Sequence, residues 1–263
     1  MRPLQAGAAR IRVESSGSGP PALLVHGSFA LPEDVFAAQL PLADAFRLLL
    51  VTRRGFSLET LPDGRADFEV DAADIASLLE QPAHLVGHSY GCLGCLLAAA
   101  RKPERVLSLT VIEPPAFLLA LDDPRVAKLV ERLQRAFTER GDGPELYGRV
   151  LEAFGFRPPR RRPSARMQQA IRASATERSP WKAAIPATQL AEAPFPKLVV
   201  SGGWVTMPAE PGAWGGAVFN RVCDVLAERI GTERLVFEEA GHLPQQLGEP
   251  FNARLRDFMS RAG

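Results

Sequence analysis

Apolar residues along this chain switch between two rhythms, and the switching predicts its layout. Short apolar runs at 22–26, 46–51, 83–86, 107–112, 197–200 and 235–237 have the length of buried strands, and residues 9–14 read as a further early strand. A Ser/Gly/Pro turn at 15–20 separates the first two. Between the runs the period lengthens: 33–42 and 68–80 read as helices, the second with Val70, Ala73, Ile75, Leu78 and Leu79 expected to face a sheet. Residues 92–100 are apolar almost throughout, as a helix buried on all sides would be. Strand–helix alternation of this kind predicts an α/β fold, a doubly wound and mostly parallel sheet covered by helices on both faces.

Past residue 113 the rhythm changes. Residues 124–140 form an amphipathic stretch with Val126, Leu129, Val130, Leu133 and Phe137 on one stripe, and helices are also expected over 144–156 and 163–178. No strand reads convincingly here, and an Arg/Pro-rich linker at 157–163 joins the last two helices. The expected organisation is a core of residues 1–113 and 195–263, with a helical cap inserted as 114–194.

Composition narrows the class. With 263 residues, 46% hydrophobic, the chain can build a sizeable core. A formal charge of +1 gives no overall reason to expect nucleic acid or an anionic membrane as partner. The first residues lack an apolar leader and no apolar stretch is long enough to span a bilayer, so a cytoplasmic protein is expected; a homodimer is compatible with the sequence. Cys92 and Cys95 form a C-x-x-C at a helix start, but that helix needs small packing residues, and no second Cys or His pair has metal-ligand spacing. Neither a redox centre nor a metal site is expected.

The candidate chemistry lies at Gly87-His88-Ser89-Tyr90-Gly91, between the strand at 83–86 and the helix at 92–100. A serine in a glycine-flanked turn from strand to helix is a nucleophile elbow: the turn is tight, and the helix N-terminus behind it favours developing negative charge. Two other stretches match in chain order, Val25-His26-Gly27-Ser28-Phe29 after an apolar strand and Ala240-Gly241-His242 after the last one. On these three motifs the chain resembles the α/β-hydrolase family. The resemblance implies Ser89 as nucleophile and the backbone N–H groups of Ser28 and Tyr90 as oxyanion donors.

The chain has four histidines. His84 lies inside a strand, and His88, between Gly87 and Ser89, is expected to point away from the nucleophile's side. His26 sits where the resembling family braces its oxyanion loop. His242, on a loop after a strand, is left as the base that a serine hydroxyl needs. The acid departs from the commoner pattern, because Trp204-Val205-Thr206 follows the strand after which most of the family place an aspartate. Glu113, at the tip of the strand at 107–112, is the replacement, since some members carry the acid there; Glu210, Asp224 or no acid at all remain alternatives. Phe29 and Trp204, beside the assigned loops, are candidate substrate contacts.

The expected function is a cofactor-free serine hydrolase acting on a small acyl substrate: a carboxylic ester, lactone or thioester cleaved through an acyl-enzyme. Hydrolysis of a carbon–carbon bond in a diketone, or a ligand-binding pseudo-hydrolase, are the alternatives. The arginines of the linker at 157–163 read as a solvated segment, against the alternative of a site for an anionic group.

Overall fold

A computed structural model of the chain describes residues 11–56, 66–138, 143–157, 163–205 and 215–262. Among the described residues seven strands form one sheet: β1 (Arg12–Ser16), β2 (Pro21–Val25), β3 (Arg47–Thr52), β4 (Ala83–His88), β5 (Val106–Ile112), β6 (Lys197–Gly202) and β7 (Arg234–Phe237). Their order is β1-β3-β2-β4-β5-β6-β7, with β1 antiparallel to β3 and every other pairing parallel. This is the doubly wound α/β sheet expected from the sequence. Strand β1 runs on through Ser15 and Ser16, composed like a turn, because they lie opposite Leu49 and Leu48 of β3. Pairing overrides local preference there. Residues 9 and 10 of the expected strand lie outside the described residues.

Helices cover both faces. On one side pack α2 (Phe68–Leu78), α3 (Gly91–Arg101) and α8 (Gly215–Ile230), against Leu23, Val25, Leu49, Leu85, Leu109 and Val199. On the other, α1 (Pro32–Val35), a 3₁₀ turn at Ala37–Asp44 and α9 (Glu249–Ser260) bury Phe36, Leu42, Phe251 and Leu255 against Leu24, Leu48, Leu50 and Val86. Alternate residues of a strand thus feed alternate cores, which is why the central strands are mostly apolar, with His84, Ser108 and Thr110 as buried polar exceptions. The helix expected over 33–42 is split in this way. Pro41 has no N–H with which to continue an α-helical ladder.

Helix α2 is rotated from the expected phase. Phe68, Asp71, Ala72, Ile75, Ala76 and Leu79 are buried, whereas Ala73 is exposed and Val70 half-buried. Two aspartates on the inward side are accommodated because the turn after β3 presents Arg53 and Arg54. Arg53 Nε donates to Asp71 at 2.8 Å, and Arg54 pairs with both oxygens of Asp74 at 2.6 Å.

Between β5 and β6 the described residues contain no strand. They form α4 (Pro124–Thr138), α5 (Gly143–Ala153), α6 (Ala165–Ser174), α7 (Ala187–Glu192) and 3₁₀ turns at Phe117–Ala120 and Pro180–Lys182. Helix α6 stops four residues short of the expected 178. Residues beyond it leave the helix to bond the core: Arg178 N–H donates to the Ala66 carbonyl at 2.8 Å.

Candidate active site

The carboxyl ends of β2, β4, β5 and β6 converge on one cavity. Ser89 follows β4 with φ 49°, a left-handed conformation costly for a serine, and its N–H is tied to the Ile112 carbonyl at 2.8 Å. Glycine is required where the loops cross it. A Cβ at Gly27 would lie 2.6 Å from Ser89 Cβ, and one at Gly91 2.4 Å from the His26 carbonyl oxygen.

His242, on the loop after β7, places Nε2 3.0 Å from Ser89 Oγ and Nδ1 3.3 Å from Glu113 Oε2. An ionised carboxylate only accepts, so Nδ1 carries the proton and Nε2 is left to accept from the serine hydroxyl. Glu113 is fully buried at the tip of β5 with φ 53°, and its N–H bonds the Val200 carbonyl of β6 at 2.9 Å. Its other oxygen, Oε1, accepts from the Gly202 N–H at 2.8 Å and from the Trp204 indole N–H at 3.2 Å. A buried carboxylate with three donors is satisfied in place of water. Asp224 is elsewhere: it is exposed and bonds Arg234. Glu210 lies outside the described residues.

Trp204 therefore does more than line the cavity. It stacks between Phe156 and Phe219, with ring centroids 5.8 and 6.0 Å away, and Phe219 lies 4.6 Å from the His242 ring. His88 likewise departs from expectation. Its ring is directed to the His242 loop, where Nε2–H donates to the His242 carbonyl at 2.9 Å. Burial and the neighbouring His242 lower its pKa to about 3, so it is a neutral strut. His84 bonds Ser108 Oγ at 2.8 Å inside the sheet, as a packed strand residue.

Ser28, Tyr90 and Phe29 all border the cavity. The Phe29 N–H is occupied, donating to Ser174 Oγ at 2.7 Å, while the Ser28 and Tyr90 N–H groups meet no backbone carbonyl among the described residues. Below them lies a buried charged cluster that sequence reasoning missed. The Arg53 guanidinium joins Asp71 to Glu177, 2.8 Å from each, and lies over the Tyr90 ring at 4.3 Å. Glu177 also accepts from Ser28 Oγ at 2.5 Å. Cys92 and Cys95 are buried, and burial pushes both thiols up, away from redox use. Among the described residues no His, Cys, Asp and Glu group is arranged to hold a metal ion.

A profile of the alpha/beta hydrolase family matches residues 22–254. The chain belongs to that family. Within this alpha/beta hydrolase, one segment is 32% identical over 116 residues to a 2-(acetamidomethylene)succinate hydrolase of Mesorhizobium japonicum, covering 43% of this chain and 42% of that protein. Another is 33% identical over 124 residues to a pimeloyl-[acyl-carrier protein] methyl ester esterase of Aeromonas hydrophila, covering 46% and 48%. The chain thus matches less than half the length of these curated relatives. A thermophilic esterase from Thermogutta terrifontis superposes with a TM-score of 0.65 at 24% identity, covering 99% of this chain and 97% of that one, a likeness of fold. No helix among the described residues is long and apolar enough to cross a membrane.

Proposed function

We propose that this alpha/beta hydrolase is a serine esterase in which Ser89, His242 and Glu113 act as nucleophile, base and acid. The unbroken hydrogen-bonded row from Ser89 Oγ through the imidazole to Glu113 carries this reading. His242 Nε2 takes the hydroxyl proton as Ser89 Oγ attacks an ester carbonyl, and Glu113 stabilises the imidazolium. The oxyanion is held by the N–H groups of Ser28 and Tyr90, an interaction worth about 3 kcal/mol per donor. His242 then returns its proton to the departing alkoxide. Water attacks the acyl-enzyme with the same imidazole as base, releasing the acid and restoring Ser89.

Residues 114–194 act as the cap over this centre. The cavity of about 1080 Å³ is walled by Phe29 and Trp204 from the core and by Tyr147, Phe154 and Trp181 from the helical segment. Ionised residues on its wall have their own partners: Arg166 pairs with Asp34 at 3.1 Å, and Glu177 with Arg53. Such walls favour an uncharged ester with a bulky apolar acyl or alcohol group. Arg160, Arg161 and Arg162 lie outside the described residues.

A fluorophosphonate probe tests the nucleophile. Stoichiometric labelling of Ser89, absent in Ser89→Ala, is expected; no labelling would favour a ligand-binding protein instead. Turnover of p-nitrophenyl esters should rise from acetyl to octanoyl, and a matched thioester and lactone complete the panel. Cleavage of a diketone without any ester turnover would replace the esterase reading with carbon–carbon hydrolysis.

A further inference from the structure

The cluster beneath the oxyanion loop is built across two parts of the fold. The peptide joining Gly27 to Ser28 is planar and trans, so its C=O and the Ser28 N–H point in opposite directions. Whatever holds the Gly27 oxygen therefore aims that N–H. Two buried groups hold it: His26 Nδ1 at 2.8 Å and Arg53 Nη1 at 3.3 Å. The other ring nitrogen of His26 accepts from the Arg53 backbone N–H at 3.2 Å, which leaves the proton on Nδ1 to be donated.

Arg53 is in turn held from outside the sheet. Its Nη1 also donates to Glu177, three residues past α6, and the two side chains are 1% and 5% exposed. The other Glu177 oxygen takes the Ser28 hydroxyl. Ser174 occupies the competing Phe29 N–H, and the Tyr90 hydroxyl donates to the Arg178 carbonyl at 2.6 Å. One short stretch, Ser174 to Arg178, thus touches both residues assigned as oxyanion donors.

We propose that Glu177 is a positioning residue which, through Arg53 and Ser28 Oγ, aims the Ser28 N–H, so that the oxyanion hole is complete only while the end of α6 is seated on the sheet. This inference rests on the esterase reading, in which that N–H receives the oxyanion. A paired acceptor at this place aims the donor without facing the substrate with an uncompensated charge.

The rate of Ser89 phosphonylation by the fluorophosphonate reads the oxyanion hole directly, because the phosphoryl oxygen occupies it. Glu177→Gln should slow labelling and lower kcat by about 10–100-fold, with KM for an octanoyl ester changed less than about threefold. Ser28→Ala keeps the amide and removes one link to Glu177, so it tests the same point in a protein whose buried ion pair is intact. It should slow labelling about 3–10-fold, and the double variant should fall well short of the product of the two. Equal labelling rates in wild type and both single variants would overturn the inference alone. So would a Glu177→Gln loss confined to KM or to thermal stability. A wild type that takes no label would overturn the esterase reading and this inference with it.

Discussion

At the scale of single residues, the proposed centre depends on one imidazole held from three sides. Glu113 takes its Nδ1–H, His88 holds its backbone carbonyl, and Phe219 packs on its ring. Ser89→Ala and His242→Ala should each reduce kcat by about 10⁵–10⁶-fold and the double variant hardly further, since the two act as one unit; multiplicative losses in ester turnover would refute the shared mechanism. Glu113→Gln should cost about 10⁴-fold by favouring the wrong imidazole tautomer. Trp204→Phe removes one of the donors to Glu113 and leaves Gly202, so a loss of about 3–10-fold in kcat is expected. Near-wild-type turnover in Glu113→Gln would move the acid elsewhere. The positions of Ser89, His242 and Glu113 were legible because Ser89 and Glu113 directly follow apolar strands and His242 stands on the loop after the last one. The roles of Trp204 and His88 were not. Reading Trp204 as a substrate contact leaves its indole N–H out of account, and the direction of His88 depends on a loop 154 residues away that no local pattern reports.

At the scale of elements, hydrophobic period located α2 and misjudged its rotation. Asp71 and Asp74 look like solvent-facing positions until Arg53 and Arg54 are brought beside them from the turn after β3. Pairing between distant segments is invisible to a window of neighbours, and the same limit hid Glu177. The strands were better determined, because burial on both faces makes most of their positions apolar. The two aspartates should differ in energetic weight. The Arg53–Asp71 pair is almost wholly buried, so Asp71→Asn leaves a guanidinium short of charge and should destabilise the fold by about 3–5 kcal/mol. Arg54 is 30% exposed and can rehydrate, so Asp74→Asn should cost only about 1 kcal/mol. Urea unfolding of both variants checks this; equal losses would mean that burial does not govern these pairs.

At the scale of the whole molecule, burial of histidines links stability to pH. His26, His84 and His88 are all interior, and desolvation lowers the pKa of each, to about 4 for His84 and about 3 for His88. The unfolded chain therefore binds protons below about pH 6.5 that the folded one refuses, and the histidines' contribution to stability falls as pH drops from there towards the folded values. Asp71 and Glu177 act in the opposite direction, since burial raises their carboxyl pKa values and the folded state then takes up protons earlier than the unfolded one. A difference between two proteins isolates one group from this sum. His84 lies on β4, away from the proposed centre, with Nδ1 on Ser108 Oγ and its ring against Phe46. Asparagine places a donor close to the position of Nδ1, so His84→Asn keeps the bond and removes the titration. Wild-type stability should fall more steeply than that of His84→Asn between about pH 6.5 and 4, by up to about 1.4 kcal/mol per pH unit, the weight of one proton. Above pH 7.5 the two curves should run parallel, because neither state then protonates the ring. Urea midpoints measured across this range decide it: parallel curves down to pH 4 would mean that His84 titrates normally in the fold.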